Sequence, residues 1–135
     1  MYRSRRSVVT SASAFAALTV ALVAAAPTAP AAVTDFRVTP GIDWGSSSSA
    51  FGTGCSYTAT AAAEPGEYVS FYDSQKGSFD PPGAILVGKS GTVTARWTPH
   101  TRGTHNLHAE QIGSRQSVVV EVGTGVDLGS ACPVL

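Results

Sequence analysis

Between Cys55 and Gly123 apolar side chains recur at every second position, in short runs punctuated by Gly, Pro or Asp. Successive side chains of a strand point to opposite faces, so a two-residue period describes half-buried strands. A helix would repeat its apolar stripe every three to four residues, and no such stripe follows residue 33. Cys55, Tyr57, Ala59, Ala61 and Ala63 share one side of "CSYTATAAA" (55–63), with Ser56, Thr58 and Thr60 on the other. The inward set continues with Val69 and Phe71 in "YVSFYD" (68–73) and with Val93, Ala95 and Trp97 in "GTVTARW" (91–97). It ends with His105, Leu107 and Ala109 in "THNLHAEQ" (104–111) and Val118, Val120 and Val122 in "QSVVVEVG" (116–123). Adding "VTDFRVTP" (33–40), stopped by Pro40 and Gly41, and "AILVGKS" (84–90) gives about seven strands at roughly ten-residue spacing. That is the pattern of an all-β antiparallel sandwich. "GSSSSAFGTG" (45–54) reads as a flexible loop, and no internal repeat divides the chain.

One string competes with this reading. Gly83 to Ser90 matches G-x-x-x-x-G-K-S/T, the loop that cradles phosphates in many nucleotide hydrolases. Such a loop must bend so that its N–H groups converge on an anion, and a helix must start at its Lys-Ser end. Here the middle is Ala84, Ile85, Leu86 and Val87, residues that suit an extended backbone, and "GTVTARW" follows with no helical pattern. The glycines are expected to be turn residues, and no nucleotide is expected.

Location is read from the first residues. Arg3, Arg5 and Arg6 precede an uncharged stretch, Ser7 to Ala26, and then "PTAPAA". A basic start, an apolar middle and an A-x-A site describe a secretory signal peptide over residues 1–31, cut after Ala31. A membrane anchor is the alternative, since about 20 apolar residues span a bilayer. Small residues and the processing site favour cleavage, with no stable membrane insertion afterwards. "SRRSVV" (4–9) fits twin-arginine export weakly, and the general route equally. The expected locations are the cell envelope or the exterior.

Without its leader the chain carries six Lys/Arg against nine Asp/Glu, a net charge of about −3, so no basic patch points to nucleic acid. Roughly 104 residues suffice for one core. In an oxidising compartment Cys55 and Cys132 have one intrachain connectivity; a free pair or a bridge between chains are the alternatives. A bridge would close a loop of about 77 residues, for which chain entropy gives about 4 kcal/mol. The expected organisation is a signal peptide (1–31), a sandwich domain (32–123) and a C-terminal tail (124–135) tied back by the disulfide. Abundant Ala and Arg suggest a GC-rich bacterial genome.

"CSYTATA" (55–61), "VSFYD" (69–73), "GTVTARWTPHTRGTHNLHA" (91–109) and "SVVVEVGTG" (117–125) together resemble the bacterial Ig-like domains of secreted and cell-surface proteins, particularly actinobacterial ones. "WTP…G-T-H-x-L-x-A" is the most specific part, and the resemblance covers about residues 34–123. It implies an immunoglobulin-like sandwich serving as a stand-alone spacer, stalk or adhesion module without enzymatic activity. Alanines in the second strand, where such domains often carry larger aliphatics, are a departure. They motivate an alternative: a carrier of a small apolar ligand held in a sandwich cleft.

His100, His105, His108 and Glu110 lie close in sequence, but residues three apart on a strand face opposite ways, which argues against a metal site. His105, two before Leu107 after a Pro/Gly turn, sits where such sandwiches place a corner Tyr bonded to backbone. Trp97, Pro99 and Gly103 complete that structural corner. On the outward face Asn106, His108 and Glu110 lie beside a strand presenting Tyr68 and Tyr72, a candidate platform for sugar rings or a protein partner. Ordinary cross-strand pairing is the plainer explanation. Trp44 is a candidate cap of an open sandwich end or a binding aromatic. Asp35, Asp43, Asp73, Asp80 and Asp127 lack calcium-loop spacing, and no G-x-S-x-G elbow is present. The expectation is a monomeric, cofactor-free, non-enzymatic protein with an unknown protein or glycan partner.

Overall fold

The computed structural model describes residues 32–40 and 51–135. The expected signal segment, Asp43, Trp44 and most of the Ser/Gly loop lie outside the described residues. Nine strands and no helix are found among the described residues: β1 (Thr34–Val38), β2 (Phe51–Gly52), β3 (Tyr57–Ala62), β4 (Tyr68–Asp73), β5 (Ser78–Asp80), β6 (Ala84–Leu86), β7 (Thr92–Thr98), β8 (Gly103–Gln111) and β9 (Ser114–Gly123). They form a four-stranded sheet, β1-β3-β7-β5, and a five-stranded sheet, β2-β9-β8-β4-β6. All pairs are antiparallel except β2 with β9.

Each of the seven expected regions holds a strand, and two short strands are additional. Phe51–Gly52 belongs to the stretch read as a loop, yet it pairs in parallel with Val122–Gly123. The cause is burial: Phe51 packs on Tyr57 and Trp97, with ring centroids at 4.9 and 5.6 Å. β5 runs beside β7 and turns Phe79 toward the core. The region expected as a strand over 84–90 is extended only through Val87, whose N–H bonds Glu67 O at 2.8 Å. A turn closed by Gly91 N donating to Gly88 O (3.0 Å) then leads straight into β7. Lys89 and Ser90 therefore sit in a strand-to-strand turn, not at a helix start.

Side chains from both sheets meet in two adjoining clusters. One joins Ala59, Ala61, Val93 and Ala95 of the four-stranded sheet to Val69, Phe71 and Ala109 of the other. The small side chains are complemented by large rings: Phe71 stacks on Phe79 at 5.6 Å and packs on Phe36 at 5.7 Å. The second cluster gathers Phe51, Cys55, Tyr57, Trp97, Leu107, Val120 and Val122. Each large apolar side chain so buried contributes about 1.5–3 kcal/mol. β1 joins β3 with an irregularity between Thr34 and Arg37, where Asp35 takes φ 53°, a left-handed conformation that Asp tolerates better than most residues.

Residues 124–135 fold back on themselves. Leu135 N donates to Thr124 O (2.8 Å), Val126 N to Pro133 O (2.9 Å) and Leu128 N to Ala131 O (2.9 Å). This narrow hairpin is joined to the start of β3 by the Cys55–Cys132 disulfide, with Cα atoms 5.9 Å apart. A Cβ on Gly125 would lie 2.3 Å from Thr53 O and 2.5 Å from Cys55 Sγ, so only glycine allows the tail to seat so closely.

Candidate functional site

The pleat sends alternate residues of the five-stranded sheet to solvent, and the register aligns them in rows. Tyr68 stands opposite Leu86. In the next row Ser70 lies between Ala84 and Glu110, and Glu110 faces Arg115. Then come Tyr72, His108 and Ser117, followed by Asn106 opposite Val119. Tyr68, Tyr72, Leu86 and Val119 are more than half exposed. Ile112, at the β8–β9 turn before Gly113 (φ 80°), is 91% exposed.

Of the residues expected on this face, the fold gathers Tyr68, Tyr72 and Glu110 around one open depression of about 370 Å³, with Ser70, Ala84, Gln111 and Ile112. Glu110 is ion-paired with Arg115, so its charge is balanced within the face. His108 borders Tyr72 and shares a 2.8 Å hydrogen bond with Ser117 Oγ through Nδ1. Asn106 stands one row beyond. Its backbone is tied to Ser74 by two hydrogen bonds, and its buried Oδ1 has no partner among the described residues. Sequence reasoning missed Ile112, Leu86 and Ala84. The first is a turn residue, and the others lie on a strand too short to display a period.

A second constellation is buried. His105 and Asp73 side chains are both 0% exposed, with Nδ1 2.8 Å from Asp73 Oδ2 and 2.9 Å from Oδ1. The same carboxylate accepts hydrogen bonds from Trp97 Nε1 (3.0 Å), Gln75 N (2.9 Å) and Gly77 N (3.1 Å). His105 Nε2 lies 2.9 Å from Thr101 O. The Thr101 hydroxyl also lies 3.4 Å from Nε2, so both ring nitrogens have partners inside the fold. The cluster joins β4, β7, β8 and two turns. A Cβ on Gly77 would come within 2.2 Å of Asp73 Oδ2, so this turn too requires glycine.

This pair resembles a catalytic dyad but has no opening for chemistry. Neither side chain is exposed, and Nε2 faces the carbonyl and hydroxyl oxygens of Thr101. Trp97 stands edge-on to His105 with ring centroids 5.7 Å apart, Pro99 is buried as well, and Gly103 (φ 106°) begins β8. His100 lies apart, 3.1 Å from Ser78 Oγ, so the three histidines have three separate sets of partners. Among the described residues no three His, Cys, Asp or Glu side chains converge as a metal site. Asp35 bonds Arg37 at 2.8 Å, Asp127 accepts from Gly129 N at 2.8 Å, and Asp80 stands opposite Arg96.

Tyr57 lies under the tail. Its hydroxyl accepts a 2.6 Å hydrogen bond from Gly52 N, and burial raises its pKa above the usual 10.0.

No protein-family model, no curated protein and no solved structure matches this chain.

Proposed function

We propose that this chain is a secreted, non-enzymatic Ig-like domain that binds a partner at the cell envelope or outside the cell, through the outer face of its five-stranded sheet. The observation carrying this reading is an asymmetry. Eight large hydrophobic side chains are exposed among the described residues, and Tyr68, Tyr72, Leu86, Ile112 and Val119 belong to this sheet or its β8–β9 turn. The other three, Val126, Leu128 and Leu135, are on the tail, and none is on the four-stranded sheet. Folding does not require such a face, whereas recognition does.

The strand order supports the Ig-like assignment. β1-β3-β7-β5 follows the A-B-E-D arrangement, and β9-β8-β4 follows G-F-C. One departure stands: β5 takes the D position before β6 has taken its place beside β4, the reverse of the usual order. His105, bonded to the Thr101 carbonyl at the start of β8, takes the part of the corner residue. The secretory reading rests on the composition of residues 1–31 and on the disulfide.

Two features favour binding over catalysis. The buried His105–Asp73 pair has no route to a substrate. Ser117, beside His108, lies in mid-strand, where neighbouring N–H groups serve the sheet ladder rather than converge on an oxyanion. The carrier alternative rested on space beside the small residues of β3; Phe36, Phe71 and Phe79 stack in that part of the core.

The test is capture from cell-wall and secreted fractions by the purified protein, with Tyr68→Ala/Tyr72→Ala as control. A partner retained by the natural sequence and lost by the variant supports the reading. Equal capture by both discards this face.

A further inference from the structure

The rows of the outer face make a trough of definite chemistry. Tyr68 and Ile112 raise one wall and Tyr72 the other, with Leu86 and His108 as their register neighbours outside the lining. Between them runs a floor of Ala84, Ser70 and Glu110, in register across β6, β4 and β8. The two tyrosines are four residues apart on one strand, about 13 Å at the antiparallel rise. The floor is low because two of its members carry the smallest side chains of the face.

The occupant follows from charge and size. The only charged floor residue, Glu110, is already balanced by Arg115, so a charged ligand gains little, whereas hydroxyl groups can bond the Ser70 hydroxyl and the carboxylate. The walls offer two exposed aromatic rings to an apolar surface. The depression, about 370 Å³, is open, so it can take one face of a ring rather than enclose a ligand. Its lining is far smaller than the twenty or more residues a side of a stable protein interface. A ligand with an apolar face and a rim of neutral hydroxyls answers all of these. We infer that the trough between Tyr68 and Tyr72 binds a neutral glycan, one pyranose ring seated between the tyrosines and its hydroxyls turned to Ser70 and Glu110.

This rests on the binding reading above and narrows it to one ligand class. It is tested by NMR titration of the purified chain with chitotetraose and cellotetraose as probes. The expected result is saturable shifts confined to Tyr68, Ser70, Tyr72, Glu110 and Ile112 with at least one probe. Tyr72→Ala then weakens binding about tenfold, the size of one lost ring contact, while Tyr72→Phe keeps most of it. The melting temperature of each variant shows that it is folded. No saturable shift with either probe overturns the inference, as do shifts of these residues with protein concentration alone, which would make a second copy the occupant. If the sugars fail while capture still separates the natural sequence from Tyr68→Ala/Tyr72→Ala, the ligand class is wrong and the binding face stands. If both fail, both readings fall.

Discussion

The two outer faces of this sandwich solve the same folding problem with different chemistry. On the four-stranded sheet the register aligns Arg37 with Thr60 and Thr94, Thr58 with Arg96 and Asp80, and Thr98 with Ser78. Threonine is β-branched, so it suits an extended backbone while presenting only a methyl group and a hydroxyl to solvent. The five-stranded sheet spends equivalent positions on Tyr68, Tyr72, Leu86 and Val119. Both inner faces supply buried side chains to the same two clusters, so the outer contrast is not a demand of the fold. It separates a polar face from one that exposes large apolar side chains, and the proposed binding role rests on that difference.

Substitutions inside the sandwich and on its outer faces sharpen or break that contrast, because they separate residues that hold the fold from residues that only decorate it. The largest effect is expected at the buried cluster. Asp73→Ala removes the shared partner of His105 Nδ1, Trp97 Nε1 and two turn amides, and should cost about 3 kcal/mol or more in chemical denaturation. His105→Phe should likewise lower the melting temperature; unchanged melting would end its structural role. Next, replacing Cys55 and Cys132 together by Ser should cost about 2–4 kcal/mol, read as the change in denaturation midpoint. Tyr57→Phe should cost about 0.5–1.5 kcal/mol at neutral pH through the lost bond from Gly52.

That Tyr57 difference carries a pH signature. Burial raises the phenol's folded-state pKa above 10.0, so below pH 10 both states keep the proton and the contribution is whole. Above pH 10 unfolded chains ionise first, and the contribution is lost toward the folded-state value. The stability gap between the natural chain and Tyr57→Phe should therefore shrink as pH rises past 10. A gap constant through that range would show that burial has no hold on this hydroxyl. The smallest effect is expected on the outer faces. Tyr68→Ala/Tyr72→Ala and Thr60→Ala/Thr94→Ala should each change stability little, about 0.5 kcal/mol per site. Only the first should change binding.

Much of this arrangement is legible in residue parity. The seven periodic runs locate the main strands, and the Tyr68/Tyr72 and His108/Glu110 sets fall on one face because side chains alternate. β2 and β5 escape because two or three residues cannot display a period; what makes them strands is where Phe51 and Phe79 find burial. Asp73 escapes for another reason. It shares the inward parity of Val69 and Phe71, and an acid there signals a buried partner. A lone Asp before a turn instead reads as a solvated strand end. Its oxygens are taken up by Trp97, His105 and two turn amides, a convergence from three strands that one stretch of sequence does not display. Ile112 continues the outward parity of His108 and Glu110, but it stands past the end of β8 beside Gly113 and so reads as a turn residue. The β4–β8 register, with Ser70 opposite Glu110, carries it to the Tyr68 side of the trough.

The central claim is that binding belongs to one face and not the other. Quantitative capture by the natural sequence, Tyr68→Ala/Tyr72→Ala and Thr60→Ala/Thr94→Ala, side by side on the same fractions, tests it most directly. The account predicts that the threonine variant retains partner as the natural chain does, while the tyrosine variant loses it. Loss in the threonine variant, or equal retention by all three, would contradict it.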